Sequence, residues 1–398
     1  MACTVAMPQR AIHSKGGELI TQAYGRPGKA IYSASRGQVN ESLLEACSRN
    51  PSIHLHFGMA LGSLDETGLL TVLDRGGGGG VPPAPWRPLL VIGADGAFSK
   101  VREAMLRWSR LCFSRTFIEH GYKELYMPPT AAGEYALPCP NALHIWPRTK
   151  FMLIALPNTD KSFTCTLFAP YETFEELDAR VGENGVDTAI GDFFVEHFPD
   201  AAPLLSTLTS TWLTNPTSSL IETRARPWQY KSRVLLIGDA AHSTVPFYGQ
   251  GMNAALEDCL CLGEALDEAL GVGCDVSGSV RVAALKTAVA AFAASRQPAG
   301  EALCDLSMGN YDEMKAKTAS VWFRSRAALE GCLHALLPDW WIPQYSMVAF
   351  TRIPYHHVCQ RAARQDVALS AALGGFALAG ALGLGGLLAW RANWWRRG

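Results

Sequence analysis

Residues 234–263 read VLLIGDAAHSTVPFYGQGMNAALEDCLCLG, and this stretch decides the fold. Val234 to Ile237 form a short apolar run bounded by turn formers, the pattern of a strand covered on both faces in a parallel sheet. The run ends in Gly238-Asp239. Small residues lead on through Pro246-Phe247-Tyr248 into Gly249-Gln250-Gly251, after which Ala255, Leu256, Cys259 and Leu260 recur at helical spacing. A strand with an acid at its carboxyl end, then glycines at a helix N-terminus, is suited to a polyol and an anion. The carboxylate accepts from hydroxyls, and the first N–H groups of the helix have no intrahelical acceptor. Gly-Asp alone is an ordinary strand-to-helix connection. The whole string, GDAAH followed by Pro246 and then GQGMNAALED, is far more specific.

That string resembles the second flavin-contacting motif of the single-component aromatic hydroxylases, which use FAD and NADPH. HGYKELYMPP (120–129), LHIWPR (143–148), FMLIALPN (151–158) and KSFTCTLFAP (161–170) resemble one branch of that family, whose substrate is L-kynurenine. The similarity runs from about Met7 to the C-terminal apolar segment and weakens at glycines 76–80 and around 270–300. It implies hydroxylation of L-kynurenine at ring position three, with NADPH and O2 consumed, on the route of tryptophan degradation towards NAD. The implied fold class is α/β (α+β): a doubly wound FAD-binding domain (30–110 and 215–290), a mixed-sheet substrate domain (7–29 and 111–214) and a helical region (291–366). A transmembrane helix (367–390) follows.

Members of this family open with a strand, a G-x-G-x-x-G turn and a helix that hold the FAD pyrophosphate. No such fingerprint stands in this sequence. Gly76 to Gly80 are followed by VPPAPWRP, whose prolines exclude a helix opening there, and read as a loop of unassigned role. The glycines of GLGGLL (383–388) lie in an apolar tail, where they suit close packing. The expectation is therefore an incomplete FAD-binding domain that lacks its first βαβ unit. A rival expectation from another class is a catalytically silent, membrane-tethered fragment of such an enzyme.

The resemblance also implies site residues. Arg10, Tyr24, Asn310 and Tyr345 match positions that grip the substrate carboxylate, a task suited to a guanidinium fork and phenols; on sequence alone Arg10 and Tyr24 read as surface residues. Arg36, at the start of a helix (Val39, Leu43, Leu44, Cys47), matches a flavin-contacting arginine, or is a solvated helix end. Leu61 matches a contact on the adenine side of FAD and equally suits a core. Asp95-Gly96, after the apolar strand 88–93, matches a motif linked to FAD and NADPH, although Asp-Gly is also an ordinary turn. Asp239 is assigned to the ribityl or pyrophosphate side of the flavin, Met252 and Asn253 to its ring, and Pro246, Phe247 and Gln250 to its reacting face. No side chain is expected to act as a nucleophile.

Residues 117–170 alternate apolar and polar types and are rich in aromatics, with turns at PPTAAGE, PRTK and PNTDK, which predicts a sheet of hairpins. One face could wall a flat apolar cavity, with Ile145, Phe151, Leu153 and Phe168 as candidates or simply as core. Ile53 to Phe57 and Leu69 to Leu73 read as strands, 172–181 and 187–198 as helices, 217–232 as a polar return and 283–335 as helical. His54, His56, His144 and His242 form no ligand cluster, so no metal is expected.

Apolar residues make up 48% of the chain and charged residues 18%, a globular balance with room for a membrane element. A net charge of −1 implies no attraction to nucleic acid. Eleven cysteines without metal-ligand spacing read as reduced thiols facing the cytosol, and the N-terminus has no signal peptide. Val367 to Trp390 holds 24 residues without a charge, a helix of roughly 36 Å at 1.5 Å per residue, enough to cross a bilayer. Trp390, Trp394 and Trp395 suit the interface, and Arg391, Arg396 and Arg397 close the end. Ala371, Gly375, Ala379 and Gly383 make a small-residue row that hints at self-association. The resemblance implies the mitochondrial outer membrane, with the catalytic part in the cytosol.

Overall fold

The computed structural model describes residues 4–25, 28–76, 84–271, 278–316 and 321–372. The chain falls into two compact units, Met1–Lys317 and Thr318–Gly398. In the first, strands β1 (Thr4–Met7) and β4 (Ile31–Ala34) pair with each other, while β2 (Gln9–His13) and β3 (Leu19–Ala23) form a hairpin between them. Helix α1 (Arg36–Ser48) follows, then the hairpin β5 (Met59–Leu64) and β6 (Leu70–Asp74). Next come β7 (Val91–Gly93), helix α2 (Lys100–Trp108) and the long β8 (Cys112–Met127). Strands β9 (Ala142–Pro147), β10 (Met152–Pro157) and β11 (Phe163–Pro170) complete the aromatic-rich stretch. Helices α3 (Tyr171–Asn184), α4 (Val186–His197) and α5 (Leu208–Thr214) precede β12 (Ser218–Arg226), β13 (Gln229–Tyr230) and β14 (Val234–Leu236). The short α6 (Asp239–His242), α7 (Gly251–Leu270) and α8 (Gly278–Ala316) finish the unit.

Seven strands form one sheet in the order β12-β8-β11-β10-β9-β2-β3, antiparallel except for the β2–β9 pair. Alternation divides it into two faces. Leu125, Met127, Trp146, Leu153, Phe163 and Leu167 point to one side, where α3, α4 and α5 seal them into the main core. Tyr122, Ile154 and Phe168 point to the other. Strand β14 pairs in parallel with β7, so the apolar run of 234–237 is a buried parallel strand, as its sequence predicts. Among the described residues β7 ends its three-stranded sheet, and Ile92 on it is 43% exposed.

Two readings of the sequence need correction. Ile53 to Phe57 form no strand, and both end residues are exposed. The strand is instead β5, because the turn that sets the register is Asp65-Glu66-Thr67-Gly68. Asp65 Oδ1 accepts from the amides of Thr67 (2.8 Å) and Leu69 (3.0 Å), which fixes the hairpin there. The polar return contains a full strand, β12, whose buried residues Leu220, Glu222, Thr223 and Ala225 lie against β8 and α8. Its Arg224 is paired with Glu222 and Asp305, which hydropathy alone does not reveal.

In the second unit, α9 (Val321–Leu336) and α10 (Gln344–Phe350) are followed by helical residues 355–372. Arg326 bridges Glu330, at 2.9 Å, and Asp366. Among the described residues no helix is long and apolar enough to cross a membrane. Most of Val367 to Trp390, with its flanking arginines and tryptophans, lies outside the described residues, and so do Gly77 to Gly80.

Behind the sheet, His13 Nδ1 lies 2.6 Å from Asp200 Oδ2, and His13 Nε2 lies 2.9 Å from His144 Nδ1. Trp146 Nε1 donates to both oxygens of the same aspartate, and its ring stacks on His13 at 4.0 Å. Two neutral imidazoles supply two protons, enough for the two short contacts. Burial holds both rings below the ordinary histidine value, His144 down to about 4, against the pull of Asp200. A lowered folded-state pKa means that the unfolded chain binds protons first as pH falls. Stability is complete above the ordinary value of 6.5 and drains away from there towards pH 4. We expect the urea midpoint of the first unit to drop across that window, by up to ~1.4 kcal/mol per pH unit per histidine. Replacing His144 by Gln should flatten the slope. An equal slope in parent and variant would assign the acid sensitivity elsewhere.

Candidate functional site

The turn after β14 begins with Gly238 at φ +56° and ψ −144°, backbone that side chains strongly disfavour. A Cβ on it would also sit 3.1 Å from that of Ala255. Asp239 follows, exposed to solvent yet hemmed in by protein, and this crowding raises its carboxyl above the ordinary range. No donor among the described residues reaches that carboxylate. Beyond it, Pro246–Tyr248 form a single turn closed by Gly249 at φ +64°, and α7 starts at Gly251. No side chain caps that helix: the Gln250 Oε1 is engaged by Asn253 Nδ2 at 3.1 Å. Pro246, Gly249, Met252 and Asn253 are all exposed, with Gln250 buried beneath them.

An open carboxylate without a donor and a helix N-terminus without a cap are what a polyol and a flavin ring oxygen require. The residues therefore fit FAD. The structural elements around them are tied together by a buried carboxylate. Gly238 N donates to Asp258 Oδ2 at 2.9 Å, and His242 Nε2 lies 2.6 Å from the same oxygen. Arg296 Nε donates to Asp258 Oδ1 at 2.8 Å. Burial pushes the Asp258 carboxyl up, but His242, Arg296 and the Gly238 amide together hold it below the usual range.

The second expected cofactor motif is organised differently. Asp95 Oδ1 accepts from Ser99 Oγ at 2.5 Å, and Oδ2 from the amides of Lys100 (2.6 Å) and Val101 (3.1 Å). Asp95, itself exposed, thus helps Ser99 to cap α2, and Gly96 follows it at φ +80°. Arg102, fully buried, donates to Ala240 O at 2.7 Å and Ala97 O at 2.5 Å, joining this turn to the Asp239 turn. Leu61 packs at the edge of the core under β7 and β14. Arg36 is exposed and lies 3.7 Å from Glu124.

On the open face of the seven-stranded sheet, Phe168 lies 5.6 Å from the Phe247 ring, and Phe247 lies 4.9 Å from that of Tyr311. Ile118, Leu220 and Val245 complete this cluster, with Met152, Ile154 and Tyr122 alongside. Register puts Ile145 opposite Ile154 and Ile12, on the same face. Phe151 and Leu153, the other two cavity candidates, pack instead against the core under α3 to α5. Leu153 is one residue from both Met152 and Ile154 and so points the opposite way.

Arg10 and Tyr24 come together: the guanidinium carbon lies 4.9 Å from the phenol ring centroid. Asn310 reaches the flavin-side turn, its Nδ2 donating to Phe247 O at 2.9 Å. Tyr345 belongs to the second unit, on α10. Two contributions escaped the sequence reading. Tyr311 Oη lies 2.7 Å from His120 Nδ1, linking α8 to β8 across the apolar cluster. Asp258 could have been found, because Ala254, Asp258 and Leu262 form the buried row of α7, and an acid in such a row needs a partner. Among the described residues no His, Cys, Asp or Glu cluster could hold a metal ion.

Gly238→Ala tests the turn. The forbidden backbone and the Ala255 contact should together destabilise the first unit by about 1–3 kcal/mol. Thermal unfolding followed by circular dichroism reads this, and an unchanged midpoint would show that the turn accepts a side chain.

Comparison with known proteins agrees with this geometry. The FAD binding domain family matches residues 37–276. A kynurenine 3-monooxygenase of Salinispora tropica is 39% identical over 380 residues, which are 94% of this chain and 79% of that protein. That of Sus scrofa is 39% identical over 372 residues, 93% of this chain and 74% of that protein. Among solved structures, 2-methyl-3-hydroxypyridine-5-carboxylic acid oxygenase is 19% identical with a TM-score of 0.59, covering 82% of this chain and 78% of that one. A probable FAD-dependent monooxygenase from Pseudomonas aeruginosa has a TM-score of 0.60 at 18% identity, covering 81% and 82%. The two structures share the fold. The two relatives, together with the match over residues 37–276, establish that the chain belongs to the kynurenine 3-monooxygenase family.

Proposed function

We propose that the chain is a flavoprotein monooxygenase that hydroxylates L-kynurenine to 3-hydroxykynurenine with FAD, NADPH and O2. The observation that carries the site reading is the continuity of one sheet face. It has the paired Arg10 and Tyr24 on one flank and, on the other, Phe168 in contact with Phe247 of the flavin-side turn. An amino acid with an aromatic ring has the matching polarity: a carboxylate at one end and a flat apolar ring at the other.

Bound FAD, once reduced by NADPH, supplies the chemistry that activates O2. The chain's own residues bind, orient and keep water out. Arg10 offers two parallel N–H donors to the substrate carboxylate, and Tyr24 stiffens that guanidinium through its ring. Asn310 is a further carboxylate contact in this reading. Phe168, Phe247, Tyr311 and Ile154 exclude water from the ring, which prevents wasteful loss of activated oxygen. Asp239 accepts from the flavin's hydroxyls, with Met252 and Asn253 at the flavin ring and Pro246, Phe247 and Gln250 at the reacting face. Arg36, Leu61 and the Asp95-Gly96 turn line the remainder of the cofactor. No side-chain nucleophile takes part.

Val367 to Trp390, 24 residues without a charge, supports a membrane-crossing helix, and the family resemblance is what implies the mitochondrial outer membrane with the catalytic part in the cytosol. The small-residue row from Ala371 to Gly383 supports association of such tails.

Two experiments test these readings. Arg10→Lys keeps the charge but loses the two-pronged geometry, so the KM for kynurenine should rise by roughly tenfold or more, on the scale of one charged hydrogen bond. The KM for NADPH should stay near its parent value, and an unchanged KM for kynurenine would remove Arg10 from the site. For location, deleting everything after Asp366 should move the chain from the membrane pellet to the soluble or aggregated fraction. Carbonate-resistant retention of the shortened chain would show that another surface holds it there.

A further inference from the structure

Asp258 sits in the middle of α7, fully buried, in a row otherwise made of Ala254 and Leu262. A lone carboxylate in such a place is costly unless every lone pair is engaged. Here one oxygen takes the Gly238 amide at 2.9 Å and His242 Nε2 at 2.6 Å, and the other takes Arg296 Nε at 2.8 Å. Arg296 is itself held by Glu257 at 2.8 Å and by Ala254 O at 3.4 Å. One side chain therefore ties three elements together: the residue before Asp239, the helix whose N-terminus borders the site, and α8.

The proton positions follow from these contacts. Nε2 of His242 faces a carboxylate oxygen and carries the proton. Nδ1 is buried and without a partner among the described residues, which suits a lone pair and penalises a second N–H. Arg296, which also pairs with Glu257, supplies a positive charge that balances Asp258. The indole of Trp228 stacks on the imidazole at 4.9 Å with an interplanar angle of 14°. Gly300 of α8 closes over both rings: a Cβ there would lie 2.7 Å from Trp228 and 3.0 Å from His242. The imidazole has no freedom to turn away from Asp258.

We propose that Asp258, charge-balanced by Arg296 and oriented with His242, is a positioning residue that fixes the Gly238-Asp239 turn and so aims the Asp239 carboxylate at the polyol chain of the flavin. The assignment of the ligand rests on the FAD reading above. The mechanical part, that Asp258 holds the Gly238 amide, stands on this chain alone. The unusual backbone of Gly238 is a second reason for such an anchor. A glycine at φ +56° has many alternatives once released, and an amide bonded to a buried carboxylate removes them.

The full chain with Asp258→Asn is the test, because an amide offers one oxygen to three donors at nearly unchanged volume. Amide hydrogen exchange is measured first on the flavin-free chain. Exchange at Gly238 to His242 should accelerate by about tenfold or more, the scale of one charged hydrogen bond, while β8, β10 and β11 stay at parent rates. FAD is then titrated by flavin fluorescence. Its Kd should rise by a similar factor, with the KM for kynurenine unchanged at saturating FAD. Unchanged exchange at Gly238, or a uniform rise across the unit, would overturn the proposal, because the latter marks a merely structural residue. If Asp258→Asn does not fold, Arg296→Lys takes its place; it keeps the cation but loses the Nε donor. Parent-like exchange at Gly238 in that variant overturns the proposal equally. Absence of FAD binding by the parent chain would retire the FAD reading instead, and the exchange data would still decide whether Asp258 holds the turn.

Discussion

The strict alternation of side chains along β8 to β11 is the constraint from which the arrangement follows. Each of these strands presents one set of residues to a sealed core and the other to the open face. Trp146, Leu153 and Leu167 are fully buried on one side, while Ile145, Ile154 and Phe168 belong to the other. A shift of register by one residue would exchange the two sets, exposing an indole and burying the wall of the site. The placement of that second set is thus fixed by the packing of α3 to α5 on the face behind it.

Behind both halves of the site stands the same device. At the sheet, His13 is stacked on buried Trp146 and paired with Asp200. At the flavin-side turn, His242 is stacked on buried Trp228 and paired with Asp258. In each case a flat, rigid ring defines where the imidazole can lie, and a carboxylate defines which nitrogen carries its proton. The two differ in how charge is settled. Asp200 is partly exposed and can share its charge with water, whereas Asp258 is fully buried and depends on Arg296.

Much of this was legible in the sequence where one local signal sufficed. The apolar run of 234–237, the glycines around Gln250 and the start of α7 were readable because strand, turn and helix chemistry lie side by side within a single stretch. The hairpin register of β5 and β6 was misread, since the apolar residues of 53–57 outweighed the turn that Asp65 actually organises. The membership of β12 in the large sheet was hidden by its polar residues, several of which bond to partners far away in the chain, such as Arg224 to Asp305 at 2.7 Å. The pairing of Arg10 with Tyr24 follows from the family resemblance and from the β2–β3 hairpin, whereas the division of Phe151 and Leu153 from Ile145 and Phe168 needed the observed register. Long-range partners are absent from any window of sequence.

Three aspartates around the site illustrate how geometry separates their roles. Asp95 and Asp258 have their oxygens committed to donors supplied by the chain: a helix start in one case, a glycine amide, a histidine and an arginine in the other. Each of the two thereby fixes backbone. Asp239 is the reverse. It is accessible, no donor among the described residues meets it, and the surrounding protein raises its carboxyl above the ordinary range. A carboxylate kept in that condition gains most when hydroxyl donors arrive, because each new hydrogen bond to the charged form replaces hydration that the crowded turn has already reduced. Rigid attachment of the turn matters for the same reason. Binding then spends little on ordering the chain, and the donors meet an acceptor already in position.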